Sequence, residues 1–319
     1  MDYTSIINME VIFMNEEMLN FYLKTSMYTN YEPYKEYYKS LPDDMEELTD
    51  LILSQTIHRT ELRRSRKEQL EQGKSHDHVS EEYPWWKYIS HDDILLTAPA
   101  ITAELFRQDE RGFTKNREIR HKVVITCRYV AVLLASILKA KGIPCRVRSG
   151  FASYFTNDGK YIDHWIIEYY NKEENRWITC DPDKNSGKDH IDMPHKNFAW
   201  IAEVWLNVRS GKDDINKYVH GSSFQGLNML AYTLFFDFHA LMSDEISYLF
   251  MPSYIDDDNE FFNLTKEDLK DLDDLATLML DPNKNFDELR YLFYNDKKFR
   301  ILNTPLISDN EHLELEINN

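Results

Sequence analysis

The chain has 319 residues, 42% hydrophobic and 13% aromatic, which supports a sizeable core and excludes disorder of the whole. Its formal charge of −18 repels phosphate backbones and anionic surfaces, which argues against nucleic acid and membrane partners. Three cysteines make no disulfide framework, and neither a signal peptide nor an apolar run of the roughly 18–20 residues that span a bilayer is legible, so a reducing cytoplasm is the expected location.

Residues 1–95 read as a mostly helical, polar N-terminal segment. Leu48, Leu51, Ile52, Ile57 and Leu62 recur at helical spacing and predict a helix over residues 45–72. The basic run 59–67 within it reads as a solvated helix face, with a phosphate or acidic-partner site as the alternative. A polar loop is expected over residues 73–82, and Trp85 and Trp86 mark the return to packed structure.

Residues 96–210 are the informative block and are taken as the core. Thr126 is expected to cap a helix that opens at Cys127. Val130, Leu133, Leu134, Ile137 and Leu138 give it a buried face, and Lys139 and Lys141 suit the negative end of its dipole. Gly142 ends the helix and Pro144 prevents its restart. Three strands should follow, over residues 144–155, 161–170 and 176–181. Asn157-Asp158-Gly159 makes the first hairpin turn, and a charged turn over residues 171–175 makes the second. A helix followed by an antiparallel meander is an α+β layout.

Residues 211–319 read as a helical segment packed on that core. An apolar helix is expected over residues 227–242, with Tyr232, Phe235, Phe236 and Phe238 as core rather than a ligand box. An acidic loop at 256–260, helices near 265–280 and 286–300, and a frayed polar end complete the chain.

Three residues of the central block carry chemistry. A thiol attacks as its thiolate, and a helix N-terminus lowers the cost of that charge, so Cys127 is placed to act as a nucleophile. Its own N–H can contribute to an oxyanion hole, and Arg128 adds positive charge beside it. His164, in the second strand, can take the thiol proton and return it to a leaving amine. Asp181, at the end of the third strand, can receive the imidazole N–H. Asp163 is the rival carboxylate, but strand alternation sends it to the opposite face from His164. Glu168 shares the face of His164 and is expected to pair with Arg146 or Arg148.

Cys127-Arg128, Lys141-Gly142-Ile143-Pro144-Cys145-Arg146-Val147-Arg148, Asp163-His164-Trp165-Ile166-Ile167-Glu168 and Arg176-Trp177-Ile178-Thr179-Cys180-Asp181-Pro182 together resemble the transglutaminase-like superfamily, and most closely its bacterial single-chain members. The resemblance covers residues 110–185 well and residues 193–209 weakly. It implies a papain-like α+β core, with the nucleophile's helix packed on an antiparallel sheet and helical segments on either side. It also implies a catalytic set of Cys127, His164 and Asp181. Many members carry a small residue shortly before the nucleophile, where this chain has Val124-Ile125-Thr126.

The expected activity is that of a thiol enzyme on an amide of a protein or peptide. A thioester forms and is resolved by water or an amine, as a hydrolase or acyltransferase would do. The alternative is a binding or scaffold protein that keeps the fold without the chemistry. No cofactor and no metal are expected. Cys127, Cys145, Cys180 and His164 lack the spacing of a zinc knuckle, His76-Asp77-His78 lies in a polar loop, and residues 256–260 lack the glycine and distal glutamate of a calcium loop.

Overall fold

The computed structural model describes residues 16–61, 91–184, 186–221, 225–248, 250 and 264–301. The basic run beyond residue 61, the 73–82 loop with its His-Asp-His triplet, Trp85, Trp86, the acidic loop at 256–260 and the polar C-terminus lie outside them.

The described chain runs through α1 (Met45–Gln55), β1 (Thr56–Ile57), α2 (Ala98–Gln108), β2 (Val123–Val124) and α3 (Cys127–Ala140). Then come β3 (Cys145–Ala152), β4 (Tyr161–Asn171), β5 (Arg176–Cys180) and β6 (Phe198–Trp200). The remainder is α4 (Ile201–Arg209), β7 (Tyr218–Val219), α5 (Leu227–Leu241), α6 (Lys266–Met279) and α7 (Phe286–Asn295). The expected α+β class holds. Among the described residues no helix is long and apolar enough to cross a membrane.

The main sheet has the order β5-β4-β3-β6, antiparallel throughout, and β7 pairs with β4 in parallel at its start. Its register sets Gly150 of β3 between His164 of β4 and Trp200 of β6, and sets Ile167 of β4 opposite Cys180 of β5. The turn signals explain this meander. Gly159 takes a left-handed φ of 79° between β3 and β4, a conformation that glycine adopts without a Cβ penalty. β3 stops at Ala152, three residues short of the sequence expectation, because Tyr154 and Phe155 turn onto the His164 ring.

Every residue of α3 is buried. It lies in a core built from Leu48 and Ile52 of α1, Ile101 and Leu105 of α2, Val147 of β3, Ile167 of β4 and Phe235 and Phe236 of α5. Gly142 closes the helix at φ 76°, and the Ile143 N–H reaches back to the Leu138 carbonyl. A second core joins Phe151 to Trp205 of α4, Leu230 and Phe238 of α5, Leu275 of α6 and Leu289 of α7. The aromatic stripe of α5 is core, as its spacing indicates.

One expectation is corrected. The helix over residues 45–72 ends at Gln55, because Thr56 and Ile57 leave it to pair with Val123 and Val124 just before α3. Lys139 does lie in the last turn of α3, as expected, but it meets more than the helix dipole. It is fully buried and lies 3.4 Å from the equally buried Glu245, while Lys141 reaches the carbonyl of Leu41 at 2.6 Å and Asp43 at 2.7 Å. Tertiary partners outcompete the helix dipole, which is a weak and screened attraction.

Candidate active site

Cys127 is the first residue of α3, so its N–H has no intrahelical carbonyl to bond and the positive end of the helix dipole falls at its side chain. Thr126 occupies the N-cap position in extended conformation, but its side chain does not cap the helix, and its hydroxyl is buried without a hydrogen-bond partner. The turn is held instead by Asp92, whose Oδ1 accepts the Thr126 N–H at 2.9 Å and whose carbonyl accepts the Tyr129 hydroxyl at 2.7 Å. Parallel pairing of β1 with β2 pins the approach to this turn, and the Ile125 N–H donates to the Ile57 carbonyl at 3.2 Å.

Arg128 does not face the thiol. Its Nε donates to the Ile246 carbonyl at 2.8 Å, its Nη2 donates to the Glu245 carbonyl, and its guanidinium lies over the Tyr129 ring at 4.5 Å. A fully buried guanidinium needs such carbonyl acceptors and aromatic faces, and the thiol offers neither.

His164 is 2% exposed and Asp181 is fully buried. The ring Nε2 lies 2.9 Å from Asp181 Oδ1, an N–H donating to a carboxylate, and a ring nitrogen of His164 lies within 4.8 Å of the Cys127 sulfur. With Nε2 taken by Asp181, Nδ1 is the nitrogen left for the thiol. Asp181 is held by more than the ring. Its Oδ1 also accepts the Asp183 N–H at 3.1 Å, and its Oδ2 accepts the Ser186 N–H at 3.0 Å. The rings of Phe155 and Tyr154 meet the imidazole edge-on, with centroids 4.9 and 6.0 Å away.

Charges at the site follow from these contacts. Burial opposes a charged His164, but the Asp181 carboxylate and the Cys127 sulfur outweigh it and hold its pKa well above that of an ordinary histidine. Burial likewise opposes the Asp181 anion, and the imidazolium overcomes it, so that carboxyl titrates below its usual range. Burial pushes the Cys127 thiol up, against the pull of His164. The imidazole and the thiol titrate as one unit. Cys127 itself is only 7% exposed, so the sulfur is enclosed in this conformation.

The three residues singled out in the sequence are therefore brought together. Asp163 is turned away, accepting the Gly221 N–H at 2.6 Å and standing 3.5 Å from His220. Glu168 pairs with both candidate arginines, Arg146 and Arg148, at 2.7 Å each, and Arg148 continues to Asp237 at 2.9 Å. This network flanks a cavity of about 160 Å³ whose lining also includes His195, Trp200 and Asn283, and none of Cys127, His164 and Asp181. Cys145, which donates to the Ala135 carbonyl, and Cys180 are buried packing residues.

Asp183 was not singled out by its sequence. A ligating oxygen of its carboxylate, the Cys127 sulfur and a ring nitrogen of His164 all lie within 4.8 Å of one another. Burial pushes the Asp183 carboxyl up to about 7; His164 opposes this, and Asp181 and Glu61 add to it. No strand alternation predicts this, because Asp181 to Lys184 form a turn in which the Lys184 N–H donates to the Asp181 carbonyl at 3.1 Å. His58 also stands close enough to couple to His164, and burial pushes its ring down to about 4.

The family model of the transglutaminase-like superfamily matches residues 118–182, a span that includes Cys127, His164 and Asp181 and stops one residue short of Asp183. No curated protein and no solved structure matches the chain.

Proposed function

We propose that this transglutaminase-like chain is a thiol enzyme acting on an amide carbonyl of a protein or peptide, with Cys127 as nucleophile, His164 as general base and then acid, and Asp181 as the group that orients the imidazole. The observation that carries the reading is the spatial order Cys127–His164–Asp181, the imidazole bonded to the carboxylate and within 4.8 Å of a sulfur at the first position of a buried helix.

In the proposed reaction, Nδ1 of His164 takes the thiol proton and the sulfur attacks the carbonyl carbon. The Cys127 N–H supports the oxyanion, and the imidazolium returns its proton to the departing ammonia or amine. Water or a second amine, deprotonated by the same imidazole, then cleaves the thioester. Asp181, fixed by three N–H donors, keeps the ring in the orientation that both half-reactions use.

The enclosed thiol favours a second reading, a binding protein that retains the fold without turnover. One experiment separates the two. Glutamine-bearing peptides are incubated with the chain, with and without a fluorescent primary amine, and ammonia release and amine incorporation are measured. Release that is lost in Cys127→Ala and falls by about 10²–10⁴ in His164→Ala supports the enzyme. No amide turnover, together with iodoacetamide labelling of Cys127 no faster than of Cys145, supports the binding protein.

A further inference from the structure

We propose that Cys127, His164 and Asp183 form a binding site for a zinc ion. The thiol, imidazole and carboxylate donors all lie within 4.8 Å of one another. Bonds of about 2.3 Å to sulfur and about 2.0–2.2 Å to nitrogen and oxygen, set tetrahedrally, place such donors about 3.4–3.6 Å apart. Closing the set around the ion is therefore a side-chain adjustment of about 1.4 Å at most. Asp183, half-buried while the other two are enclosed, is the member with most room to move.

The surroundings match what a zinc site needs beyond its ligands. A zinc-bound imidazole donates its other N–H to a carboxylate, which fixes the ring and strengthens the ligand. His164 already does this through Nε2 to Asp181. Asp181 stands outside the donor set, its carboxylate engaged by His164 and by the N–H groups of Asp183 and Ser186. The Asp181-Pro182-Asp183 segment thus divides the work, one carboxylate behind the histidine and the next facing the sulfur. Three ligands leave a fourth position for water.

The donor set also selects the ion. A thiolate beside an imidazole favours zinc over magnesium or calcium, which take oxygen donors. Binding releases to solvent the proton held between Cys127 and His164, so that the sulfur binds as thiolate through a lone pair and the ring nitrogen facing it as neutral imidazole, and Asp183 binds as its carboxylate. A sulfur engaged in that way is no longer a nucleophile. Zinc is thus a reversible brake on the thiol, applied at the site of chemistry. The binding claim stands without the catalytic reading, because it needs only the three donors.

The test uses the full-length, reduced, chelator-treated chain titrated with zinc chloride by calorimetry, and with cobalt(II) as a spectroscopic stand-in. The proposal expects one ion per chain and a thiolate-to-cobalt charge-transfer band in the near ultraviolet that Cys127→Ser removes. It also expects at least a tenfold loss of zinc affinity in Asp183→Asn, and no change in Asp192→Asn, an exposed carboxylate paired with Arg176. Absence of stoichiometric binding, or binding with no charge-transfer band, overturns it, and both readouts use the wild-type chain alone. Affinity unchanged in a folded Asp183→Asn also overturns it. Amide turnover that fails while zinc binds leaves this site standing and removes only the enzyme.

Discussion

The backbone N–H of Asp183 donates to the carboxylate of Asp181 at 3.1 Å, so two aspartates separated by one proline hold opposite electrostatic states. Asp181, facing the imidazolium, titrates below its usual range, whereas Asp183 is pushed by burial up to about 7. Residue type alone does not set the role here; the imidazolium that faces Asp181 and the burial of Asp183 do.

Asp181→Asn should lower the pKa of His164, because the charge that raises it is removed while the burial that opposes it remains. Ring-proton NMR across pH reads this directly. Reaction of Cys127 with iodoacetamide near neutral pH should slow by about tenfold or more, since the thiolate loses its cationic partner. A His164 titration that stays put in the variant would show that another group holds the proton.

Gly150→Ala should disturb the site from the far side of the strand. A Cβ there would stand 2.7 Å from the Ala199 carbonyl and 2.6 Å from the Phe198 ring, so β6 must move away from β3. Overpacking of this kind costs on the order of 1–3 kcal/mol, and Gly150 is the register partner of His164. Urea melts should show the lost stability, and the labelling rate of Cys127 should fall with it. A variant as stable as the parent would mean that β6 yields freely.

Asp92→Ala leaves the buried Thr126 N–H without its acceptor just before the nucleophile. An orphaned buried donor costs about 1–3 kcal/mol. Asp92→Asn, which keeps an acceptor oxygen, should recover most of that loss in thermal melts. Equal destabilisation by both substitutions would assign the effect to the negative charge, which also lies 3.6 Å from Arg59.

Glu168 should make part of the stability acid-labile. Burial raises its pKa, but Arg146 and Arg148 more than compensate and bring it from 4.5 to about 2. Its folded value is the depressed one, so its contribution is fully present above the unfolded pKa and is lost as pH falls from about 4.5 to about 2. That contribution is at most about 3.5 kcal/mol, from roughly 1.4 kcal/mol per pKa unit. Glu168→Gln, which strands buried guanidinium charge, should cost about 3–5 kcal/mol at neutral pH. Its deficit against the parent should narrow below pH 4.5; a deficit independent of pH would sink the assignment.

What was legible in the sequence was what local spacing encodes. Helix α3, its stop at Gly142, the Gly159 turn and the antiparallel strands all follow from periodicity and from residues that tolerate a left-handed backbone. The order of Cys127, His164 and Asp181 along those elements made the candidate site readable too. Long-range contacts were not legible. Nothing near Arg128 or Lys139 announces that the 245–246 turn accepts them, and nothing near residue 126 announces Asp92. The apolar spacing of residues 45–72 ran through Ile57 because a helical position and a strand position that both face the core look alike in sequence. Asp183 went unseen because Asp-Pro reads as the end of a strand, and attention stopped at the first of its two carboxylates.

Glu245 ties two distant stretches together, the one at Ser26 and both ends of α3. Its carboxylate accepts the Ser26 hydroxyl at 2.5 Å and lies 3.4 Å from Lys139, and its carbonyl accepts Arg128. Ser26 precedes the family-matched stretch, Glu245 follows it, and both ends of the nucleophile's helix are moored between them. Anyone trimming the gene to residues 96–210 would keep every residue of the proposed chemistry and still strand two buried cations in hydrocarbon. The portable unit for expression, engineering or crystallisation is the chain from at least Ser26 through Ile246, and the recognisable motif is only its innermost part.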